Sequence, residues 1–335
     1  MISRLFFIAL LFVATSSYAQ NVVAKRTIEL NGELSEKGNI FLVIDGTEKT
    51  SNKPKFIARM AIGNNIVDYT INDVQDTYIF SNDVEAEKHR NRINHLVFSP
   101  AKSHLISVDD ENIKVWSTIT KKLAYTIPDK SKPYVFASSD YKLAYTSFKK
   151  SGDNDNKIYD YVNKKNSSFK TTEGLYSGMR MSADGKYILA YDTAPMGTGA
   201  GELTVWDANT GKIMFTRVCR ANDAQFTPDS KYVIALWGKT MYKFGVDGKE
   251  VFKTEMPELF FKITVSDDGK YVYANTTFNF ELVDAETGKM EKRLPYKFPA
   301  FIKQCIFTED GLFALLIERE YKSTQMTLSV VEINW

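Results

Sequence analysis

The 335-residue sequence predicts an all-β fold built from repeated four-stranded units, and three observations carry that expectation. A short phrase recurs at a spacing of roughly 39 to 45 residues. A second phrase, rich in hairpin-turn residues, falls between its copies. No helical period runs between the two. Composition agrees, since 18 Tyr and 22 Phe with abundant Val, Ile and Thr suit pleated, half-buried surfaces.

The N-terminus comes first. Arg4 precedes an apolar run from Leu5 to Val13, and Ser17-Tyr18-Ala19 offers small residues where a signal peptidase cuts. Residues 1–19 are therefore expected to be a signal peptide, with Gln20 opening the mature chain. The run is shorter than the roughly 20 apolar residues that span a bilayer. Export to a periplasm or the exterior, as a soluble protein without a membrane span, is the expectation. The 43 basic and 41 acidic residues nearly cancel, which gives no electrostatic footprint for nucleic acid. Cys219 and Cys305 occupy different points of the repeat and are expected to be buried, unpaired thiols.

The first phrase is an apolar strand, then Ser or Thr, a Pro/Asp/Gly turn, and a second apolar strand. It reads Phe98-Ser99-Pro100, then Met181-Ser182-Ala183-Asp184-Gly185-Lys186-Tyr187. It returns as Phe226-Thr227-Pro228-Asp229-Ser230-Lys231-Tyr232 and Val265-Ser266-Asp267-Asp268-Gly269-Lys270-Tyr271, and closes at Phe307-Thr308-Glu309-Asp310-Gly311. A degenerate copy runs from Ala137 to Lys142. The second phrase includes Val115-Trp116-Ser117, Val205-Trp206-Asp207 before Asn209-Thr210-Gly211-Lys212, Tyr242-Lys243-Phe244 before Val246-Asp247-Gly248-Lys249, and Leu282-Val283-Asp284 before Glu286-Thr287-Gly288-Lys289. Ile158-Tyr159-Asp160-Tyr161 follows the same plan. Asp-Gly and Thr-Gly-Lys are hairpin chemistry, because Gly supplies a positive φ. Each unit is thus two hairpins, strands a-b and c-d, and such units at this period are the blades of a β-propeller.

From about 95 to 335 the paired phrases resemble those of WD-repeat and related bacterial secreted propeller families. Val115-Trp116-Ser117 and Val205-Trp206-Asp207 stand where the Trp-Asp dipeptide stands, and only Trp206-Asp207 matches it fully. The family's Gly-His pair is missing, so its Asp-His-Ser-Trp hydrogen-bond network is not expected here. The resemblance implies a fold and is nearly silent on function.

The ends set the blade count. The last unit offers strands a and b and then Met326 to Trp335 as strand c, without a strand d. Ala24 to Leu30 is a β-like run with no hairpin partner, and adding it to the last blade would close the ring. Ile40–Ile44, Phe56–Ala61, Ile66–Ile71 and Tyr78–Phe80 form a divergent first blade at about 38–80, with the repeats running from about 93 to 335. Seven blades in a single domain, 20–335, are expected, with six or eight as the alternatives.

Function has to be read from the loops. The a-b and c-d turns are short and stereotyped; variation gathers on the opposite face, where loops carry function more often. Ser147–Lys157 and Asp192–Glu202 are expected as long b-c loops, and Ser81–Ile93 as a charged d-a connection holding His89, Arg90 and Arg92. Two later d-a connections are aromatic, with Phe260, Phe261, Tyr296, Phe298 and Phe301. These five and the two arginines are the candidate binding residues, the alternative being that the aromatics plug the channel and pack blade on blade. Gly197–Gly201 joins two strands and lacks the strand-to-helix setting of a nucleotide loop. Asp153, Asp155, Asn156 and Asp160 echo a calcium loop but lack its turn glycine and terminal Glu. His89, His95 and His104 are the only histidines, and no catalytic motif is present. The expectation is a binding module for a protein or peptide partner, with no metal, cofactor or catalytic residue assigned. A propeller enzyme (lactonase, lyase or glycan hydrolase) and a carbohydrate-binding module are the alternatives.

Overall fold

The computed structural model describes 28 strands between residues 22 and 333 and, with short interruptions, the turns that join them from residue 91 onward. Of the first 90 residues it describes the strands alone, so the expected signal peptide and the Arg90 and Arg92 positions lie outside the described residues. Strand β1 is Val22–Leu30. Blade 1 is β2 (Val43–Asp45), β3 (Ile57–Ile62), β4 (Asn65–Thr70) and β5 (Asp76–Thr77). Blade 2 is β6 (His95–Phe98), β7 (His104–Val108), β8 (Asn112–Ser117) and β9 (Leu123–Pro128). Blade 3 is β10 (Pro133–Ser138), β11 (Lys142–Phe148), β12 (Asn154–Asp160) and β13 (Lys165–Ser168). Blade 4 is β14 (Gly178–Met181), β15 (Tyr187–Tyr191), β16 (Glu202–Asp207) and β17 (Ile213–Val218). Blade 5 is β18 (Ala221–Phe226), β19 (Tyr232–Trp237), β20 (Thr240–Gly245) and β21 (Glu250–Glu255). Blade 6 is β22 (Lys262–Val265), β23 (Tyr271–Asn275), β24 (Asn279–Asp284) and β25 (Met290–Pro295). Blade 7 is β26 (Phe301–Phe307), β27 (Phe313–Arg319) and β28 (Met326–Ile333), completed by β1.

Seven antiparallel four-stranded sheets result. The first strands of consecutive blades touch one another from β2 through β26, so strand a is innermost and strand d forms the rim. β1 runs antiparallel along β28, from Val22 opposite Ile333 to Leu30 opposite Met326. The last blade is built from both ends of the chain. Two boundaries differ from the sequence expectation. The outer strand of blade 1 is described as Asp76–Thr77, paired with Asp68 and Tyr69, and the expected Tyr78–Phe80 lies outside the described residues. The presumed long loop Ser147–Lys157 is mostly strand, with Phe148 opposite Asn154 and Thr146 opposite Asn156. A backbone ladder needs no apolar side chains, and polar composition alone concealed it.

One local device repeats at the a-b turns. Ser182, Thr227 and Ser266 each donate a hydroxyl to the carboxylate two residues on, at 2.8, 2.6 and 2.8 Å. Each hydroxyl oxygen accepts the N–H five residues on, from Tyr187, Tyr232 and Tyr271. Each carboxylate accepts a second N–H, from Lys186, Lys231 and Lys270. These bonds hold Asp184 and Asp229 below their ordinary range, and Asp268 at about 2, chiefly through the Lys270 N–H. Lowered carboxylates add stability fully above their unfolded value of about 4, and lose it as pH falls through the folded value. The turns are therefore weakened by acid only in the range from about pH 4 down toward 2.

The c-d turns use a second device. Asp207 accepts the N–H groups of Asn209 and Thr210, both at 2.8 Å, and Asp284 those of Glu286 and Thr287. Gly211 and Gly288 follow at φ of 69° and 70°, each donating to the carbonyl of its turn aspartate. A Cβ on Gly211 would also lie 2.3 Å from the Ser168 carbonyl oxygen of the neighbouring blade. Strained φ and a backbone clash act together, so Gly211→Ala is expected to destabilise by about 2–3 kcal/mol. Urea unfolding of the two proteins measures this, and a loss below about 0.5 kcal/mol would refute the packing argument.

The core lies between blades. Trp206 is fully buried and meets Phe169 and Tyr176 edge-on at 5.3 and 5.7 Å, joining blades 3 and 4. Trp116 donates to Ser107 Oγ at 2.7 Å. Cys219 and Cys305 are buried and are not joined in a disulfide, and burial pushes the Cys219 thiol up to about 11. In blades 2, 4, 5 and 6 the register of strand d shifts at one equivalent point, leaving Ala124, Met214, Val251 and Glu291 unopposed as β-bulges on the rim.

Candidate functional site

The two faces of the ring carry different surfaces. On the a-b and c-d face and the rim beside it, the exposed large apolar residues among those described are Ile119, Val162, Ile213, Met214, Val251, Tyr271 and Leu312, scattered over six blades. Singly exposed apolar residues are ordinary. On the b-c and d-a face, the exposed large apolar residues among those described are Val218, Trp237, Leu259, Phe261 and Phe278, in blades 4 to 6 and the connections between them. Three of these five are aromatic, the side chains that most often anchor a partner.

The connection from Met256 to Phe261 is the centre of this ledge. It crosses from β21 to β22 between the b-c turns of blades 5 and 6, and six hydrogen bonds hold it. Met256 N–H donates to the Lys239 carbonyl at 2.6 Å, and Lys239 Nζ to the Pro257 carbonyl at 3.2 Å. Asn279 Nδ2 donates to both Glu258 oxygens, at 3.3 and 3.1 Å. Asn222 Nδ2 donates to the Phe260 carbonyl at 3.1 Å, and Phe261 N–H to the Asn275 carbonyl at 3.0 Å. With the backbone pinned along this path, neighbouring side chains are sent in different directions. Phe260 goes inward, 1% exposed in the core between blades 5 and 6, while Leu259 and Phe261 stand out at 40% and 42%. A rigid aromatic surface loses little entropy on binding.

The other sequence-predicted residues divide. Phe260 is corrected from binding residue to core anchor, because its ring is enclosed in the apolar cluster between blades 5 and 6. Tyr296 is half-buried, packed on Phe280 at 5.2 Å between blades 6 and 7. Phe301 begins β26, and Phe298, like Arg90 and Arg92, lies outside the described residues. His95 and His104 sit at opposite ends of the β6–β7 hairpin, and His104 packs edge-on against Tyr161 on the a-b side, away from the ledge. No group of three His, Cys, Asp or Glu side chains among the described residues could hold a metal ion. No helix among them is long and apolar enough to cross a membrane. Trp237 and Phe278, which sequence reasoning passed over, stand at short b-c turns, Trp237 as the last residue of β19 before Gly238-Lys239 and Phe278 within Thr276-Thr277-Phe278. An apolar residue inside an otherwise polar turn was the signal that could have found them.

Two polar networks underlie this region. Asp223, 1% exposed on β18, accepts the Tyr191 hydroxyl at 2.8 Å, its neighbour Ala224 N–H at 3.1 Å and the Ile263 N–H at 3.2 Å. The Arg180 guanidinium lies 3.7 Å away. One carboxylate thus ties blade 4 to blade 5 and blade 5 to blade 6. Burial first, and the Asp223 charge second, push the Tyr191 phenol far above its ordinary range. On the outer side, Arg293 Nε donates to fully buried Glu281 at 2.8 Å, and Arg293 Nη1 lies 3.8 Å from Glu258. Burial raises the Glu281 carboxyl, Arg293 opposes the rise, and Glu258 adds to it.

A chain in a crystal structure of the mitotic checkpoint complex superposes with a TM-score of 0.66 at 12% identity, covering 99% of each chain. The fold is a WD-repeat-like β-propeller. At that identity the likeness speaks to the fold alone. No family model matches the chain, and no curated protein matches it. Within the propeller, Trp206 packs between blades and Asp207 caps its own c-d turn. The ledge occupies the b-c and d-a face of three consecutive blades.

Proposed function

We propose that this propeller is a non-catalytic binding module that presents the blade 4–6 ledge to a protein or peptide partner. The observation that carries the reading is the concentration of exposed Trp237, Leu259, Phe261 and Phe278 on one face among the described residues, around a connection held by six hydrogen bonds. The similarity to a propeller chain that belongs to a multiprotein assembly supports the same reading. In this proposal residues 1–19 are removed on export and residues 20–335 form the single propeller domain in a periplasm or outside the cell.

Replacing Trp237, Phe261 and Phe278 together with alanine is expected to lower partner recovery at least about tenfold, the loss of a single hot-spot cluster. Stability should change little, because exposed truncations usually shift it within about 0.5 kcal/mol each. Affinity capture with the full chain as bait, beside a thermal melt of both proteins, reads both quantities. Undiminished recovery by a folded triple variant would overturn the assignment of this face.

A further inference from the structure

The ledge connection is fastened to a group of charges that does not balance. Glu258 on the connection, Arg293 on β25 and Glu281 on β24 form a chain of two carboxylates and one guanidinium. Glu281 is fully buried, with its Oε2 without a hydrogen-bond partner, and so is Arg293 Nη2. Glu258, by contrast, is 36% exposed. Arg293 is drawn strongly to the inner carboxylate at 2.8 Å and only loosely to the outer one at 3.8 Å.

On the blade 5 side, Glu281 has an apolar setting. It stands opposite Ala274 on β23 and beside the apolar cluster of Met241, Met256 and Ile263 that joins blades 5 and 6. Lys243 is the buried cation of the facing strand β20, and its Nζ is bound to the Ala285 carbonyl at the other end of the sheet. Arg293 and Glu258 are the charged groups that act on Glu281.

We propose that this triad is an acid-responsive latch on the binding ledge: when Glu281 takes up a proton, Arg293 turns its charge to Glu258 and clamps the Met256–Phe261 connection to blade 6. The inference rests on the ledge being the binding surface, and it adds how that surface is regulated. Protonation cancels the inner charge, so Glu258 becomes the single carboxylate for Arg293 and loses the repulsion of its neighbour. Burial of Glu281 favours that proton, which places the event above the usual carboxylate range. The ledge is consequently firmer in mild acid and looser as pH rises.

The test needs no partner, so its outcome is separable from the capture experiment. Backbone hydrogen exchange of the 256–262 segment is followed in the full chain from about pH 8 to about pH 5.5, corrected for intrinsic rates. Protection should rise roughly fivefold toward acid in the native protein. Glu281→Gln, which mimics the protonated side chain, should show the acid level of protection throughout. Glu258→Gln, at the half-exposed end and therefore safe for folding, should lose the pH response and stay at the low level. A native segment whose protection does not change with pH, or a Glu258→Gln segment that keeps the native response, would overturn the latch.

Discussion

Asp223→Ala is expected to destabilise the protein by about 3–5 kcal/mol, the usual loss when one member of a buried charged network is removed. The carboxylate is 1% exposed and holds groups from three blades: Tyr191 and Arg180 of blade 4, the Ala224 N–H of its own blade, and the Ile263 N–H of blade 6. Alanine leaves the phenol and the inner-strand Ile263 N–H without their acceptor, and each buried polar group so stranded costs about 1–3 kcal/mol. Asp223→Asn keeps an acceptor oxygen and loses the charge, and its cost should fall between wild type and alanine. Urea unfolding monitored by tryptophan fluorescence compares the three. Equal stability of the alanine variant and wild type would mean that water replaces the carboxylate at no cost.

Removing residues 22–30 should have the larger effect still, because it acts on the whole ring. β1 supplies the outer strand of blade 7, and without it β28 becomes a long unpaired edge at the point where the circle closes. The truncated chain is expected to melt far below the intact one or to aggregate on expression. A synthetic peptide with the sequence of Val22–Leu30 should restore solubility when added in excess, since it can pair with β28 from Met326 to Ile333. Size-exclusion chromatography and circular dichroism read both outcomes. A truncated protein with an unchanged melting temperature would show that strand closure contributes nothing.

The blades were legible in the sequence because their signals are local. A Ser or Thr, a carboxylate two residues on and a tyrosine N–H five residues on form a self-contained turn, and the Asp284-to-Gly288 turn is equally self-contained. Strand closure was legible for a different reason: one blade lacked a strand and one strand lacked a blade. The site was less so. Phe260 and Phe261 look alike in sequence, and only the pinned path of the backbone sends one inward and the other out. Asp223 gave no warning, because its partners lie at positions 180, 191 and 263, on neighbouring blades whose relative register no short phrase encodes. The Glu281 latch is hidden in the same way, its outer carboxylate being 23 residues upstream across a blade boundary.

The rim bulges have a consequence for assembly. In blades 2, 4, 5 and 6 each outer strand carries one unopposed residue at the same height, and the resulting kink spoils the straight row of N–H and C=O groups that another strand would need. The disc therefore has usable flat ends and guarded sides. Complexes made with it should grow along its axis, as a column grows, and crowding should not weld neighbouring discs into a sheet.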